Sequence, residues 1–307
     1  MARKDGRAIH GWLVLDKPPG LSSSQAVGAV RRLLGAAKAG QGGTLDPLAT
    51  GVLPIALGEA TKTVAWAMAG RKTYRFTLRW GEARDTDDAA GRLVAASPAR
   101  PARGAIEAAL AGFTGTIRQR PPAFSALKVE GERAYALARE GAQVELAPRP
   151  VEVESLRLVG EPDRDHAEFV AVVGKGTYIR ALARDLGEAL GTLAHITALR
   201  RLAVGPFRAE DAISLDNLAA LGHSAAASGH LLPIETALDD IPALALSEEE
   251  AHRLRCGQTV TPLRPSDRAR IDQLGDGATV RATTGGKLVA VAEIVAGGIR
   301  PVRVLNL

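Results

Sequence analysis

The residues best suited to chemistry gather in a glycine-rich stretch, GQGGTLDPLATGVLP (40–54), with Asp46 at its centre. Gly42, Gly43 and Gly51 admit backbone angles and close approaches that side chains forbid, so the loop can present Asp46 to a cleft against another molecule's backbone. The plain alternative is a turn aspartate ahead of Pro47. A phosphate cradle is disfavoured, because the Gly-Lys-Ser/Thr ending that holds phosphate and magnesium is missing. In GKGTYIR, Tyr178 and Arg180 alternate about Ile179; on a strand, both side chains leave one face and can line one cleft. For Arg180 taken alone, a phosphate contact or a solvated strand end explains it equally well, and core packing explains Leu199 in ALRR. Tyr74, in KTYRF, either half-buries its ring on a strand or stacks on a base, and Asp88, in DTDDAAG, reads as a hairpin-turn carboxylate. That turn is no calcium loop, since Ala89 stands where a ligand is needed. The six histidines (His10, His166, His195, His223, His230 and His252) show no zinc-binding spacing and read as surface or structural residues, so no metal is expected.

The elements that must carry these residues are legible from periodicity. A short apolar run at 12–15, stopped by Pro18, Pro19 and Gly20, predicts a buried strand. Ser22, Ser23 and Ser24 offer caps for a helix whose Val27, Val30, Leu33 and Leu34 share a face, with Gly35 as its stop. The Asp46 loop then feeds a strand at 52–57. Residues 74–80 alternate Tyr74, Phe76, Leu78 and Trp80 with polar neighbours, the period of a half-buried strand, and the acidic turn after them predicts a hairpin reaching Leu93 and Val94. After a linker at 98–104, a short helix is expected at 105–110, strands through VEVESLRLVG and HAEFVAVVGKGTYIR, and a helix at 181–190 ended by Gly191. The composition shifts beyond Leu231, and short strands near 278–281, 288–294 and 302–305 predict a small C-terminal β domain of roughly seventy residues, beginning near Ile241. The mixture is α+β with an antiparallel flavour rather than repeated βαβ units.

With 307 residues, 46% hydrophobic and 24% charged, the chain has material for a globular core and favours one large domain plus a small one. Its net charge of +5 suits a polyanionic partner. A lone cysteine, Cys256, forms neither an internal disulfide nor a multi-thiolate zinc site, which fits a reducing cytoplasm. The apolar run at 12–15 is too short for a signal-peptide core and no run reaches membrane-spanning length, so a soluble cytoplasmic protein is expected.

The strings DKPPGLSS, GGTLDPLATGVLP, GEATK, KTYRF, DTDDAAG, QRPPAFSALKVEGERAYALAR, GKGTYIRALARDLG and ALRR, in that order and spacing, resemble the TruB family of bacterial tRNA pseudouridine synthases. The resemblance runs to about Arg201 and is most specific at TLDPLATGVLP. It implies a pseudouridine synthase fold, α+β with a mixed, largely antiparallel sheet and flanking helices, over residues 1–240, with a thumb-like insertion at 119–141 and a small β-rich PUA-like RNA-binding domain at 241–307. It implies isomerisation of the T-loop uridine, position 55 in tRNA numbering, after the base is flipped out, by a monomer needing neither cofactor nor protein partner. Under it, Asp46 is the catalytic aspartate, and Arg180 pairs with and orients it. Tyr74 stacks on the base and takes part in proton removal; Tyr178 and Leu199 bind substrate; Asp88 lies near the arginine; Lys17, in DKPPG, supports the catalytic loop. The thumb is made basic by Arg118, Arg120, Lys128, Arg133 and Arg139, cations suited to RNA phosphates. Two departures stand out. Gln41 and Gly42 occupy the usual His-Thr pair, leaving Gln41 to contact substrate without an imidazole's stacking face, and Phe124 replaces a tyrosine. A non-catalytic RNA clamp is the competing reading, but a clamp gains nothing from an acid among phosphates.

Overall fold

The computed structural model describes residues 6–125, 128–129, 132–133, 146–222, 224–262 and 264–307. Its strands run β1 (Gly11–Lys17), β2 (Ala39–Gln41), β3 (Thr50–Leu57), β4 (Lys72–Trp80), β5 (Glu82–Arg84), β6 (Leu93–Ala96), β7 (Gly115–Gln119), and the two-residue pair β8 (Lys128–Val129) and β9 (Glu132–Arg133). They continue with β10 (Arg149–Asp163), β11 (His166–Val173), β12 (Ala194–Val204), β13 (Phe207–Arg208), β14 (Ile213–Ser214) and β15 (Leu231–Leu232), then β16 (Ala243–Ala245), β17 (Thr279–Thr284), β18 (Lys287–Val295) and β19 (Gly298–Val304). Eight α-helices lie among the described residues: α1 (Ser23–Leu34), α2 (Val64–Ala69), α3 (Arg103–Ala109), α4 (Ile179–Ala189), α5 (Leu215–Leu221), α6 (Ala225–Ser228), α7 (Glu248–Arg255) and α8 (Pro265–Leu274).

One eleven-stranded sheet dominates, in the order β14-β1-β3-β12-β4-β11-β10-β7, with β15 beside β1, β2 beside β3 and β13 beside β12. Its pairings are antiparallel except for β1 with β14 and β3 with β12. Strand β1 is buried on both faces, which explains its unbroken apolar run: Leu13 and Leu15 face one core, Trp12 and Val14 the other. Helix α1 forms as its sequence dictates. Ser22 and Gln25 make a reciprocal capping box, Gly35 closes the helix in the left-handed conformation, and Ala26, Val30 and Leu34 are buried. Residues of α1 and α4 join Phe76, Leu78 and Phe169 in the first core. On the opposite face Trp12 packs on Phe207, ring centroids 4.9 Å apart, within a core shared with Leu288, Val291 and Leu305.

The four strands β16–β19 form a separate sheet with its own core, including Leu244, Leu254 and Ile271. Two polar contacts fasten its end to the main body: Lys62 Nζ donates to Val304 O at 2.8 Å, and the Asn306 amide donates to Glu59 Oε2 at 2.7 Å. Among the described residues no helix is long and apolar enough to cross a membrane.

The hairpin after the acidic turn is present as β5–β6, although Leu93 and Val94 on it are exposed. One expectation is overturned. The GKGTYIR segment is not a strand through Arg180; β11 ends at Val173, and α4 already begins at Ile179. Gly174 and Gly176 break the strand, the latter at φ 90°, and Tyr178 sits in extended conformation as the N-cap. Tyr178 and Arg180 therefore meet the same cavity from a helix cap and a first helical turn, not from alternate strand positions. Strand β12 and helix α8 went unread in the sequence. The former carries three arginine or histidine side chains among its apolar residues, and the latter has a weak apolar face.

The parallel junction of β3 with β12 sets the position of the Asp46 loop. Arg201 pairs with Gly51 across it, and Gly51 has φ 96° with any added Cβ driven into the Arg201 carbonyl. Gly51→Ala should therefore lose about 2–4 kcal/mol of stability through overpacking and backbone strain. Chemical denaturation checks this; a wild-type midpoint would show that the two strands can part without cost.

Candidate active site

Asp46 sits between β2 and β3 in a loop fastened from three sides. Ser23 Oγ exchanges hydrogen bonds with Leu45, accepting from its amide at 2.8 Å and donating to its carbonyl at 2.9 Å. Lys17, fully buried, donates from Nζ to the carbonyls of Pro18 and Leu21, both at 2.8 Å, and to Pro47 O at 3.3 Å. Burial pulls its ammonium down to about 8 against the attraction of Asp46. Arg201, 1% exposed, donates to the carbonyls of Gly43, Thr44 and Val52 at 3.0, 3.3 and 2.8 Å. Lys17 thus supports the loop as the resemblance implied, and Arg201 does so without having been singled out. Its only sequence signal was the second arginine of ALRR.

With its backbone held, the Asp46 carboxylate remains 38% exposed and meets the buried guanidinium of Arg180. Arg180 Nε donates to Oδ2 at 2.9 Å and Nη2 to Oδ1 at 3.2 Å, a forked pair that sets the plane of the acid. Two further donors are engaged: Nη1 reaches Thr86 O at 2.8 Å and Nη2 reaches Phe124 O at 2.9 Å. Asp88 Oδ2 lies 3.7 Å from Arg180 Nε, while its Oδ1 accepts from Thr86 Oγ1 at 2.7 Å and the Ala90 amide at 3.0 Å. Arg180 is therefore a junction, joining the Asp46 loop, the turn at 85–88 and the chain at Phe124.

A cavity of about 410 Å³ opens beside this pair, bounded by Asp46, Tyr74, Tyr178, Arg180 and Leu199. Two aromatic rings and a leucine make a slot for a flat ring, with the carboxylate at its edge. Tyr74 comes from β4 and Leu199, 8% exposed, from the adjoining β12, where it pairs with Phe76. Tyr178 is held at its backbone by the Gln119 amide, which accepts from its N–H at 2.8 Å and donates to its carbonyl at 3.0 Å. The Arg149 guanidinium lies 5.4 Å from its ring centroid. Lys72, unremarked in the sequence, also lines the cavity; it donates to the Met68 and Gly70 carbonyls, and burial lowers its ammonium to about 8. A second cavity of about 630 Å³, lined by Asp88, Arg92 and Ser22, shares Asp46 and Arg180 with the first.

Five of the expected site residues thus meet at one cavity and Asp88 at the next. Gln41 meets neither. It lies on β2, and its Nε2 donates to Thr44 Oγ1 at 2.9 Å. Arg118 and Arg120 are described; the side chains of Lys128 and Arg133, and all of Arg139, lie outside the described residues. His195 is structural, its Nδ1 3.1 Å from Glu82 O in the interior. Among the described residues no three His, Cys, Asp or Glu side chains are grouped to hold a metal ion.

Residues 31–179 match the N-terminal domain of the TruB family pseudouridylate synthases, and residues 180–239 match the tRNA pseudouridylate synthase B C-terminal domain. The chain belongs to the TruB family. A protein of Bradyrhizobium diazoefficiens named tRNA pseudouridine synthase B is 57% identical over 310 residues, covering 99% of this chain and 88% of that one. One of the same name from Rhodospirillum rubrum is 56% identical over 305 residues and covers 99% of both chains. The fold extends further: the archaeal box H/ACA sRNP Nop10-Cbf5 complex contains a chain 25% identical, with TM-score 0.72, covering 97% of this chain and 86% of that one. Membership in the TruB family makes the protein a pseudouridine synthase, an isomerase, and the cavity beside Asp46 brings a carboxylate together with two tyrosines.

Proposed function

We propose that the protein converts the T-loop uridine of tRNA, position 55 in tRNA numbering, to pseudouridine, with the base turned out of its stack into the cavity and Asp46 as the catalytic residue. The observation that carries the reading is the forked pair of Arg180 with Asp46 at the rim of a slot walled by Tyr74, Tyr178 and Leu199. Stacking of a uracil against Tyr74 offsets part of the cost of unstacking it, on the order of 1–3 kcal/mol.

The reaction breaks the bond from C1′ to N1 and forms one from C1′ to C5. The proton on C5 leaves and N1 gains one, so atoms and electrons balance with no external oxidant or reductant. Positive charge develops at C1′ as its bond to N1 weakens, and an Asp46 oxygen aimed at that carbon stabilises it. Arg180 keeps the carboxylate turned toward the sugar. Tyr74 holds the detached base while it rotates and takes part in removing the C5 proton. Residues 1–240 form the catalytic unit in this reading, and 241–307 a PUA-like RNA-binding unit. A net basic charge, +5 over the chain, favours the polyanionic partner.

A synthetic T-arm stem-loop incubated with purified protein in buffer without added cofactor should be converted at one uridine, read by mass spectrometry after chemical labelling. Binding of the stem-loop with no conversion, there or in full-length tRNA, would replace this reading with that of an RNA clamp.

A further inference from the structure

One turn beyond Arg180 on α4, a second arginine, half-buried, also grips an aspartate of the turn at 85–88. Arg184 Nη1 donates to Asp87 Oδ2 at 2.9 Å, with side chains 20% and 15% exposed. Its Nε and Nη2 reach Asp185 Oδ1 at 2.9 and 2.7 Å, and Nη2 also donates to Arg120 O at 2.7 Å. Asp87 is one of two described non-glycine residues with positive φ, at 57°. Its backbone is bolted on both sides: its N–H donates to Arg84 O, and its carbonyl accepts from the Ile196 amide, each at 3.0 Å. An aspartate tolerates this conformation better than most residues, but glycine would adopt it at lower cost. A carboxylate is kept where the backbone alone would favour its removal.

The neighbours of Asp87 supply a reason. Thr86, immediately before it, gives the carbonyl that accepts from Arg180, and Asp88, immediately after it, faces Arg180 Nε. A shift of this turn moves both contacts at once. Helix α4 holds Arg180 and Arg184 at i and i+4, on one face, so the two arginines grip the same turn and the same segment at 120–124.

We propose that the Asp87–Arg184 pair is a positioning unit for catalysis, fixing the turn at 85–88 against α4 so that Arg180 aims Asp46 at the sugar. The inference rests on the proposed pseudouridine synthesis. Burial outweighs the pull of Arg184 and Arg180 and pushes the Asp87 carboxyl up to about 6. The charged groups acting on it are Arg184, Arg180 and Asp185 from α4; Asp85 and Asp88 share its turn, and β12 presents the Ile196 amide to its backbone.

Single-turnover conversion of tRNA by Asp87→Asn, Arg184→Gln and the double variant tests the unit. Each single change should slow conversion roughly 10-fold, the scale of a small misplacement of reacting groups, with tRNA affinity within about twofold of wild type. The double variant should be no slower than either single one, because both remove the same constraint. Arg184→Lys should recover part of the rate, and Asp87→Gly, which suits the backbone angle, should be as slow as Asp87→Asn. The wild-type rate, divided by that of Asp87→Asn, should fall toward one as pH drops through about 6 and the Asp87 carboxyl takes up its proton. Unchanged rates, multiplicative effects in the double variant, a flat ratio with pH, or a loss confined to affinity or folded fraction would overturn the proposal. A wild-type protein that converts no uridine would instead bring down the proposed function, and the pair's role with it.

Discussion

Asp46→Asn is expected to bind tRNA with near wild-type affinity and to form pseudouridine at least about 10⁴-fold more slowly, the scale on which loss of a central catalytic group is felt. The amide is isosteric, and its oxygen can still accept from Arg180, so the loop, held by Ser23, Lys17 and Arg201 through its backbone, has no reason to move. What is lost, under the proposed mechanism, is the negative charge that would face C1′. Binding measured by filter retention and conversion measured by mass spectrometry separate the two effects. Conversion by the variant at the wild-type rate would remove Asp46 from the mechanism, and a parallel loss of binding would make it a contact rather than a catalyst.

Arg180→Lys should slow conversion by about 10²–10³-fold, comparable to removing one oriented donor from an enzyme's charge-stabilising site. A lysine keeps the charge but offers no planar fork, so it cannot hold both Asp46 oxygens while also reaching the Thr86 and Phe124 carbonyls. Arg180→Met goes further and leaves Asp88, its side chain 8% exposed, facing no guanidinium; breaking a buried charge pair from one side costs about 3–5 kcal/mol. The lysine variant should therefore fold and fail at chemistry, whereas the methionine variant should also melt markedly lower. Single-turnover rates with thermal unfolding curves test this, and a lysine variant that is fully active would reduce Arg180 to a structural cation.

The Asp46 loop could be read because its features are local: glycines around one aspartate, a proline behind it, and a capped helix just before. Helix α1 illustrates the same point, since Ser22 and Gly35 terminate it through bonds within a few residues. The reading failed at GKGTYIR, where alternation over three residues cannot tell a strand from the opening of a helix once glycines intervene. Nor was the bond from Gln41 to Thr44 legible in the sequence. Which side of β2 looks toward the slot depends on its pairing with β3, and that register is set by neighbours distant in the chain.

By itself the sequence determined which side chains were available for chemistry, where α1 and the strands β1, β3 and β4 run, and, through its motifs, the family. The resemblance paired Arg180 with Asp46, 134 residues away, but only the tertiary structure decided the forked geometry of that pair and brought Arg201, Lys72 and the Asp87–Arg184 pair around it. The reason is physical. Caps and periodicity are written in contacts a few residues apart, whereas the pair at the active site exists because β3 runs parallel to β12 and α4 packs over the sheet they share. That choice belongs to the whole core and to no segment within it.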